Sequence, residues 1–410
     1  MLGFDHELRR NGFAGNACQM VLELDAAVDP DTLRERVRRM LDRYPILSAR
    51  LRGGFRPAWK PMRDAARLLS VHEHRDEPGL ARELFNEPLR MRQGELMRFD
   101  LLQRQDGGTT LCFLWTHALM DAPGAEHFLA LIGRDDLDPA AAPNPDLPPP
   151  RKSLLHRFRE ARKNLFQIDE FCKASPRSMG SRVAGAARRM NYRVETFTRE
   201  ETDRVLALAT QHCGTLGTAR YHAAVALVEL HRLQERLGPS SPSYILPVPV
   251  GLRSKGTIEP LFRNQVTMLM TQLFPEHVQS VPKAVARLKA QTEQGLRRGL
   301  IEGGLALSDL FRFLPLPVFM AILKRGMHGE ICSLFYGDTA AVSPLLTQFL
   351  GTSINTLTHV AAVTPSPGLG VIFYTFRGLL RITVLNLSNV LSETEAAGFA
   401  ADLRARLLNP

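Results

Sequence analysis

Residues 138–150, DPAAAPNPDLPPP, contain six prolines. Each proline lacks an amide donor and fixes φ near −65°, so this stretch can continue neither a helix nor a central strand, and it divides the chain. A length of 410 residues at the usual ~100–200 residues per domain gives two domains. The expected organisation is an N-terminal lobe over 1–150, a crossover segment over 151–193 and a C-terminal lobe over 194–410. On the near side of the break, Cys18, Met20, Leu22 and Leu24 alternate with Gln19, Val21, Glu23 and Asp25, the period of a half-buried strand. A helix follows: Asp29 caps it, Pro30 suits its first position, and Leu33, Val37, Leu41 and Tyr44 fall on one face until Pro45. Strands are expected near 97–102 and 111–116, joined through Asp106-Gly107-Gly108.

The far side reads as helices from about 199 to 212 and 221 to 237, then an extended run, YILPVPVGLR over 244–253, whose prolines restrict it to an edge or irregular strand. Further strands are expected at 265–273, 370–375 and 380–387. Ser392 with Glu395 three residues on forms a capping box for a final helix with Ala396, Phe399, Leu403 and Leu407 on its buried stripe. The apolar run 313–323 is short and broken by proline, which assigns it to the core or to the flank of a channel rather than to a bilayer.

The formal net charge is +10, and its distribution matters more than its size. Between Pro148 and Arg193 twelve Lys/Arg stand against three Asp/Glu, so one segment holds nearly the whole excess. No nucleic-acid-reading motif accompanies this stripe, which argues against nucleic acid and for a local acidic partner. Within it Leu154, Leu155, Phe158, Leu165 and Phe166 interleave with Arg157, Arg159, Arg162 and Lys163. The pattern reads as a solvated helix packed by its apolar side onto the body; docking to a membrane surface or to an acidic carrier protein is the alternative. Five dispersed cysteines without a CxxC pair fit neither a disulfide framework nor a zinc site and point to a reducing, cytoplasmic setting. The sequence carries no signal-peptide pattern, no run of roughly 20 apolar residues, and no Gly-rich phosphate loop. Neither a metal nor a tightly bound cofactor is expected.

The chemistry concentrates in LCFLWTHALMDAPG over 111–124. A strand-like run ends at His117, Asp121 follows four residues later, and a Pro-Gly turn leads into a helix over 125–131. Imidazole, with an ordinary pKa of roughly 6.5, can take a proton near neutral pH and return it to a leaving group. With twelve histidines in the chain, a His-x-x-x-Asp spacing alone is a chance event. Asp121 also fits a helix cap, Arg253 a surface arginine and Asn264 a turn residue.

The surrounding residues give the spacing weight. Thr116-His117-Ala-Leu-Met-Asp121-Ala122 resembles the His-His-x-x-x-Asp-Gly motif of the chloramphenicol-acetyltransferase-like superfamily, which includes condensation domains, wax ester synthases and alcohol O-acyltransferases. Thr116 replaces the first histidine and Ala122 the glycine. LELDAAVDPDTLRERVRRMLDRYPILSARLR and FNEPLRMRQGELMRFDLLQRQDGG resemble the family's N-terminal stretches. ILPVPVGLRS…FRNQVTMLM is similar to its Val-Pro-Val-x-x-Arg run with the following Asn, and GVIFYTFRGLLRITVLNLSNVLS to its last two strands. The resemblance covers nearly the whole chain in order; the wax ester synthase Asn-Asp and the plant Asp-Phe-Gly-Trp-Gly patterns are absent.

The resemblance implies an α/β fold of two such lobes, mixed sheets flanked by helices, with an active-site tunnel at their interface. His117 would be the general base, Asp121 and Arg253 an ion pair that supports its loop, and Asn264 and Thr116 substrate-binding residues. The implied activity is transfer of an acyl group from acyl-CoA or an acyl carrier protein to a hydroxyl of a small molecule or lipid. Amide-forming condensation, or a silent relative that binds lipid or carrier protein, are the alternatives. An acyl carrier protein docking at 151–193, peripheral contact with the inner face of a membrane, and a monomer complete the expectations.

Overall fold

The computed structural model describes residues 1–53, 57–62, 70–137, 153–182, 188–238, 241–253 and 261–410. In chain order its elements begin with α1 (Leu2–Arg10), β1 (Ala17–Leu24), α2 (Pro30–Arg43), β2 (Ala49–Arg52), β3 (Ala58–Pro61), β4 (Val71–Arg75), α3 (Leu80–Phe85), β5 (Met97–Gln103), β6 (Thr109–Thr116) and α4 (Ala122–Gly133). There follow α5 (Leu154–Cys172), β7 (Met190–Thr196), α6 (Arg199–Cys213), α7 (Thr218–Leu237), β8 (Tyr244–Gly251) and β9 (Val266–Leu273). The chain ends with α8 (Val281–Arg298), α9 (Leu300–Phe311), α10 (Leu316–Arg325), β10 (Phe335–Ala341), β11 (Gln348–Phe349), β12 (Thr352–Ala361), β13 (Leu369–Phe376), β14 (Leu379–Leu387) and α11 (Glu393–Leu408).

Two compact units emerge, neither contiguous in sequence. The first comprises residues 1–149, 253–265 and 341–362; the second comprises 150–252, 266–340 and 363–410. Boundaries at 150 and 193 do not capture this, because the chain returns to the first unit twice. The reason is pairing: β1 is flanked by β6 on one side and by the late strand β12 on the other, with Cys18 opposite both Trp115 and Ala361. The resulting six-stranded sheet has the order β11-β12-β1-β6-β5-β4 and is antiparallel except for β4 beside β5. Local signals set its helices. Asp29 accepts from the amides of Asp31 and Thr32 to start α2, whose buried stripe is Leu33, Val37 and Met40.

Behind β6 an aromatic series joins strand, helix and the returning segment. Phe99 stacks on Phe113 at 4.7 Å, Phe113 meets Trp115 at 5.1 Å and Phe128 at 5.8 Å, and Phe128 meets Phe262 edge-on at 5.5 Å. Such pairs contribute about 0.5–1.5 kcal/mol each beyond area burial, and here they clamp α4 and residues 261–265 against the strand that ends at His117.

The second unit holds a four-stranded sheet, β10-β13-β14-β7, and the separate pair β8-β9. The prolines at 247 and 249 sit in β8, whose only strand partner among the described residues is β9, as proline's missing donor favours. The capping box at Ser392 and Glu395 forms in both directions, and Ala396, Phe399, Leu403 and Leu407 are buried on α11. One expectation for an apolar segment is reversed. On α5 Leu154, Leu155, Phe158, Leu165 and Phe166 face solvent while Glu160, Ala161, Asn164 and, near the C-terminal end, Phe171 face inward. The cause is the tight approach of α9: a side chain at Gly303 would overlap Asn164 Oδ1 and the Glu160 carbonyl, so only α5's small face fits there. The run 313–323 forms α10, of which Met320 is buried and Val318 and Ile322 are exposed. The proline-rich break itself, 138–150, lies outside the described residues.

Candidate active site

β6 delivers the polypeptide to a four-residue loop, 117–120, held almost entirely through its backbone. The His117 amide donates to Asn16 O at 3.0 Å, and the His117 carbonyl accepts from Asn264 Nδ2 at 2.9 Å. Asn16 is itself fixed, its amide donating to Asp5 Oδ1 of α1 at 3.0 Å. Across the loop the Met120 carbonyl accepts from Trp115 Nε1 at 3.1 Å and faces His117 Nδ1 at 3.3 Å.

That last contact determines the imidazole's tautomer. A carbonyl oxygen can only accept, so Nδ1 carries the proton and Nε2 keeps its lone pair. The ring is partly exposed, and burial, the largest cause, holds its pKa below the ordinary histidine value of 6.5. His117 is therefore a neutral base with one free nitrogen near neutral pH.

Asp121 is both of the things its sequence position allowed. As N-cap of α4 its Oδ1 accepts from the Gly124 amide at 3.0 Å, and the same oxygen takes Arg253 Nη2 at 2.6 Å. Oδ2 accepts the Gln265 amide at 2.8 Å. Three donors far apart in sequence converge on one carboxylate that is 6% exposed, and it makes no hydrogen bond to His117. Its part is to fix the loop and the segment at 261–265, not to move a proton. α4 begins at Ala122, earlier than the sequence indicated, because Pro123 and Gly124 occupy its first turn, where a missing amide donor costs nothing. Gly124 is needed for close approach: a Cβ there would lie 2.5 Å from the Leu261 carbonyl. One turn on, His127 is 9% exposed, and burial together with the Arg253 charge lowers its pKa to about 4.

The two residues assigned to substrate are placed differently. Thr116, 2% exposed, directs its hydroxyl to Met91 Sδ at 3.1 Å inside the first unit; the strand's tight burial leaves it no outward face. Asn264 spends its amide on the His117 carbonyl and so braces the loop that carries this histidine, and its buried Oδ1 has no hydrogen-bond partner among the described residues. Asn16, Trp115 and Gln265 were missed: Asn16 and Gln265 act through backbone groups, which leave no residue-type signature, and Trp115 reads only as a strand residue. Among the described residues no group of three His, Cys, Asp or Glu is arranged to hold a metal.

No family model matches the sequence, and no curated protein does. Solved structures do. The first condensation domain of the CDA synthetase superposes with a TM-score of 0.71 at 17% identity, over 99% of this chain and 94% of that one. The TRI3 trichothecene 15-O-acetyltransferase from Fusarium sporotrichioides gives 0.71 at 11% identity, again over 99% and 94%. Polyketide synthase associated protein 5 from Mycobacterium tuberculosis gives 0.63 at 15% identity, over 96% and 94%. The chain shares the mixed α/β fold of these proteins.

Proposed function

We propose that this chain, whose fold is that of the chloramphenicol-acetyltransferase-like superfamily, transfers an acyl group from a thioester donor, acyl-CoA or an acyl carrier protein, to a hydroxyl acceptor. The observation that carries the reading is the placement of His117: Nδ1 lies 3.3 Å from the Met120 carbonyl, which leaves Nε2 as the nitrogen with the lone pair, and burial holds the ring's pKa below the ordinary value. In this scheme Nε2 removes the proton of the acceptor hydroxyl as its oxygen attacks the thioester carbonyl. The tetrahedral intermediate collapses to an ester and a thiolate, and the imidazolium returns the proton to that thiolate. The sum is thioester plus alcohol to ester plus thiol, with no covalent enzyme intermediate and no cofactor. Asp121, Arg253 and Asn264 hold the base in place, which preserves the orientation that such catalysis depends on.

The direct test is incubation with a panel of acyl-CoA and acyl-carrier thioesters together with alcohols or amines, with product masses as the readout. Ester formation is the expected result. Amide formation would favour the second reading, which the condensation domains among the neighbours support. Thioester binding without any transfer would refute both.

The pH profile gives an independent check. A base whose pKa is depressed stays neutral until the pH has fallen below the usual imidazole value, so the acid limb of kcat/KM should have its midpoint below 6.5. An acid limb centred above that value would remove His117 from the role.

A further inference from the structure

The solvent side of α5, α8, α9 and α10 is unusual for a protein exterior. Ten of the twelve large hydrophobic side chains exposed among the described residues fall on these helices or on the link at Phe313. Five belong to α5, where Leu155 is 82% exposed, Phe158 61% and Phe166 62%. The four helices form one layer of the second unit. α9 packs along α5 through Ala161, Ala306 and Leu307. α10 joins through Phe319, 5.5 Å from Phe311, and through Gly326, where a Cβ would touch Cys172 Sγ. Because Gly303 selects the small face of α5 for this packing, the bulky stripe is left outward by construction.

The charge on the same elements identifies the occupant. Residues 154–172 and 281–325 carry twelve Lys/Arg against six Asp/Glu. Arginine also interrupts the apolar stripe itself: the Arg162 guanidinium lies 5.6 Å from the Phe166 ring centre and Arg312 lies 5.1 Å from that of Phe313. Arg312 has Asp309 at 3.7 Å, but Arg162 has no carboxylate partner among the described residues, and in the dry centre of a protein–protein contact it would be desolvated unpaired, at a cost of several kcal/mol. At a lipid headgroup boundary the same side chains reach phosphates while the rings enter the acyl region. No described helix is long and apolar enough to cross a membrane, so the geometry is that of helices lying in the interface.

Next to the stripe, α5 and α8 border a cleft of about 680 Å³ whose lining includes Lys163, Phe166, Lys173, Arg287 and Arg298. Lys163 and Lys173 pair with Glu160 and Glu170. Arg287 Nε is buried and makes no hydrogen bond among the described residues, and Phe166 belongs to both stripe and cleft. We propose that this helical layer is a docking face for an anionic lipid bilayer, with the cleft receiving one phosphate headgroup.

The test is flotation of the full chain with vesicles of phosphatidylglycerol and phosphatidylcholine, compared with phosphatidylcholine alone, at low and high salt. Binding to the anionic vesicles, weakened by salt and roughly tenfold or more weaker on neutral ones, is expected. Two exposed substitutions together, Leu155→Ser and Phe158→Ser, should reduce vesicle binding about tenfold or more with an unchanged unfolding midpoint. Arg287→Gln should lower the preference for the anionic vesicles. Equal binding to neutral vesicles, absence of binding, or binding insensitive to the Leu155/Phe158 pair would overturn the proposal. So would a wild-type dimer that the same pair of substitutions converts to monomer while vesicle binding is absent, because the face would then cover a second copy.

Discussion

Replacement of His117 by alanine is expected to lower acyl-transfer turnover by about 10²–10⁴ while leaving the protein as stable as the parent. Among the described residues the side chain makes a single polar contact, the 3.3 Å approach of Nδ1 to the Met120 carbonyl, and that carbonyl keeps Trp115 Nε1 as a donor. The loop's remaining anchors, Asn16 O to the His117 amide and Asn264 Nδ2 to its carbonyl, are backbone bonds that alanine retains. Steady-state turnover with the thioester found active, paired with urea unfolding, checks both halves. A variant that keeps more than a tenth of the activity would show that the proton leaves by another route.

Asp121→Ala acts through the opposite balance, with stability lost first and activity lost as a consequence. The carboxylate takes Gly124, Arg253 and Gln265 as donors, so its removal strips the N-cap of α4, frees a backbone amide at 265 and leaves the guanidinium of Arg253, 13% exposed, without this carboxylate. Breaking one side of a buried pair costs about 3–5 kcal/mol, and loss of a cap adds about 1 kcal/mol. Unfolding in urea should show a loss within that range. Asp121→Asn, which can still cap, should lose less, and the Asp121→Ala/Arg253→Met double variant should recover part of the deficit because the mostly buried guanidinium leaves together with its carboxylate. A loss below about 1 kcal/mol for Asp121→Ala would mean that the three donors are satisfied without it.

Much of the site was legible because its signals are local. The period of Cys18–Leu24, the caps at Asp29 and Ser392, and the strand running into His117 depend on neighbours a few residues away, and all took the expected form. Of the partners of Asp121, Arg253 was legible only through resemblance, since nothing near it in sequence points back to residue 121, and Gln265 was not legible at all. β12 was not recognised at all. Its stretch TSINTLTHVA alternates poorly, with Thr352 and His359 among its buried positions, and its place beside β1 depends on a partner from the start of the chain. α5 was misread for a physical reason: hydrophobic patterning assigns bulky residues to the interior, whereas the close approach of Gly303 makes small volume the criterion for the inward face. The stripe was visible in the sequence, but its direction was not. The same holds for Asn264, whose residue type fits a turn, a ligand or a brace equally well.

The pairing of Cys18 with Ala361, and of Asp121 with the amide of Gln265, sets an order of events during synthesis. Gln265 follows α5, α6 and α7 of the second unit, and Ala361 follows α8, α9 and α10 as well. Until then β1 presents an open hydrogen-bonding edge and the loop bearing His117 lacks its brace. The nascent first unit therefore waits, half-paired, for its own distant ends, a topology that slows folding and makes the free edge of β1 the point at which stray strands compete for the growing chain.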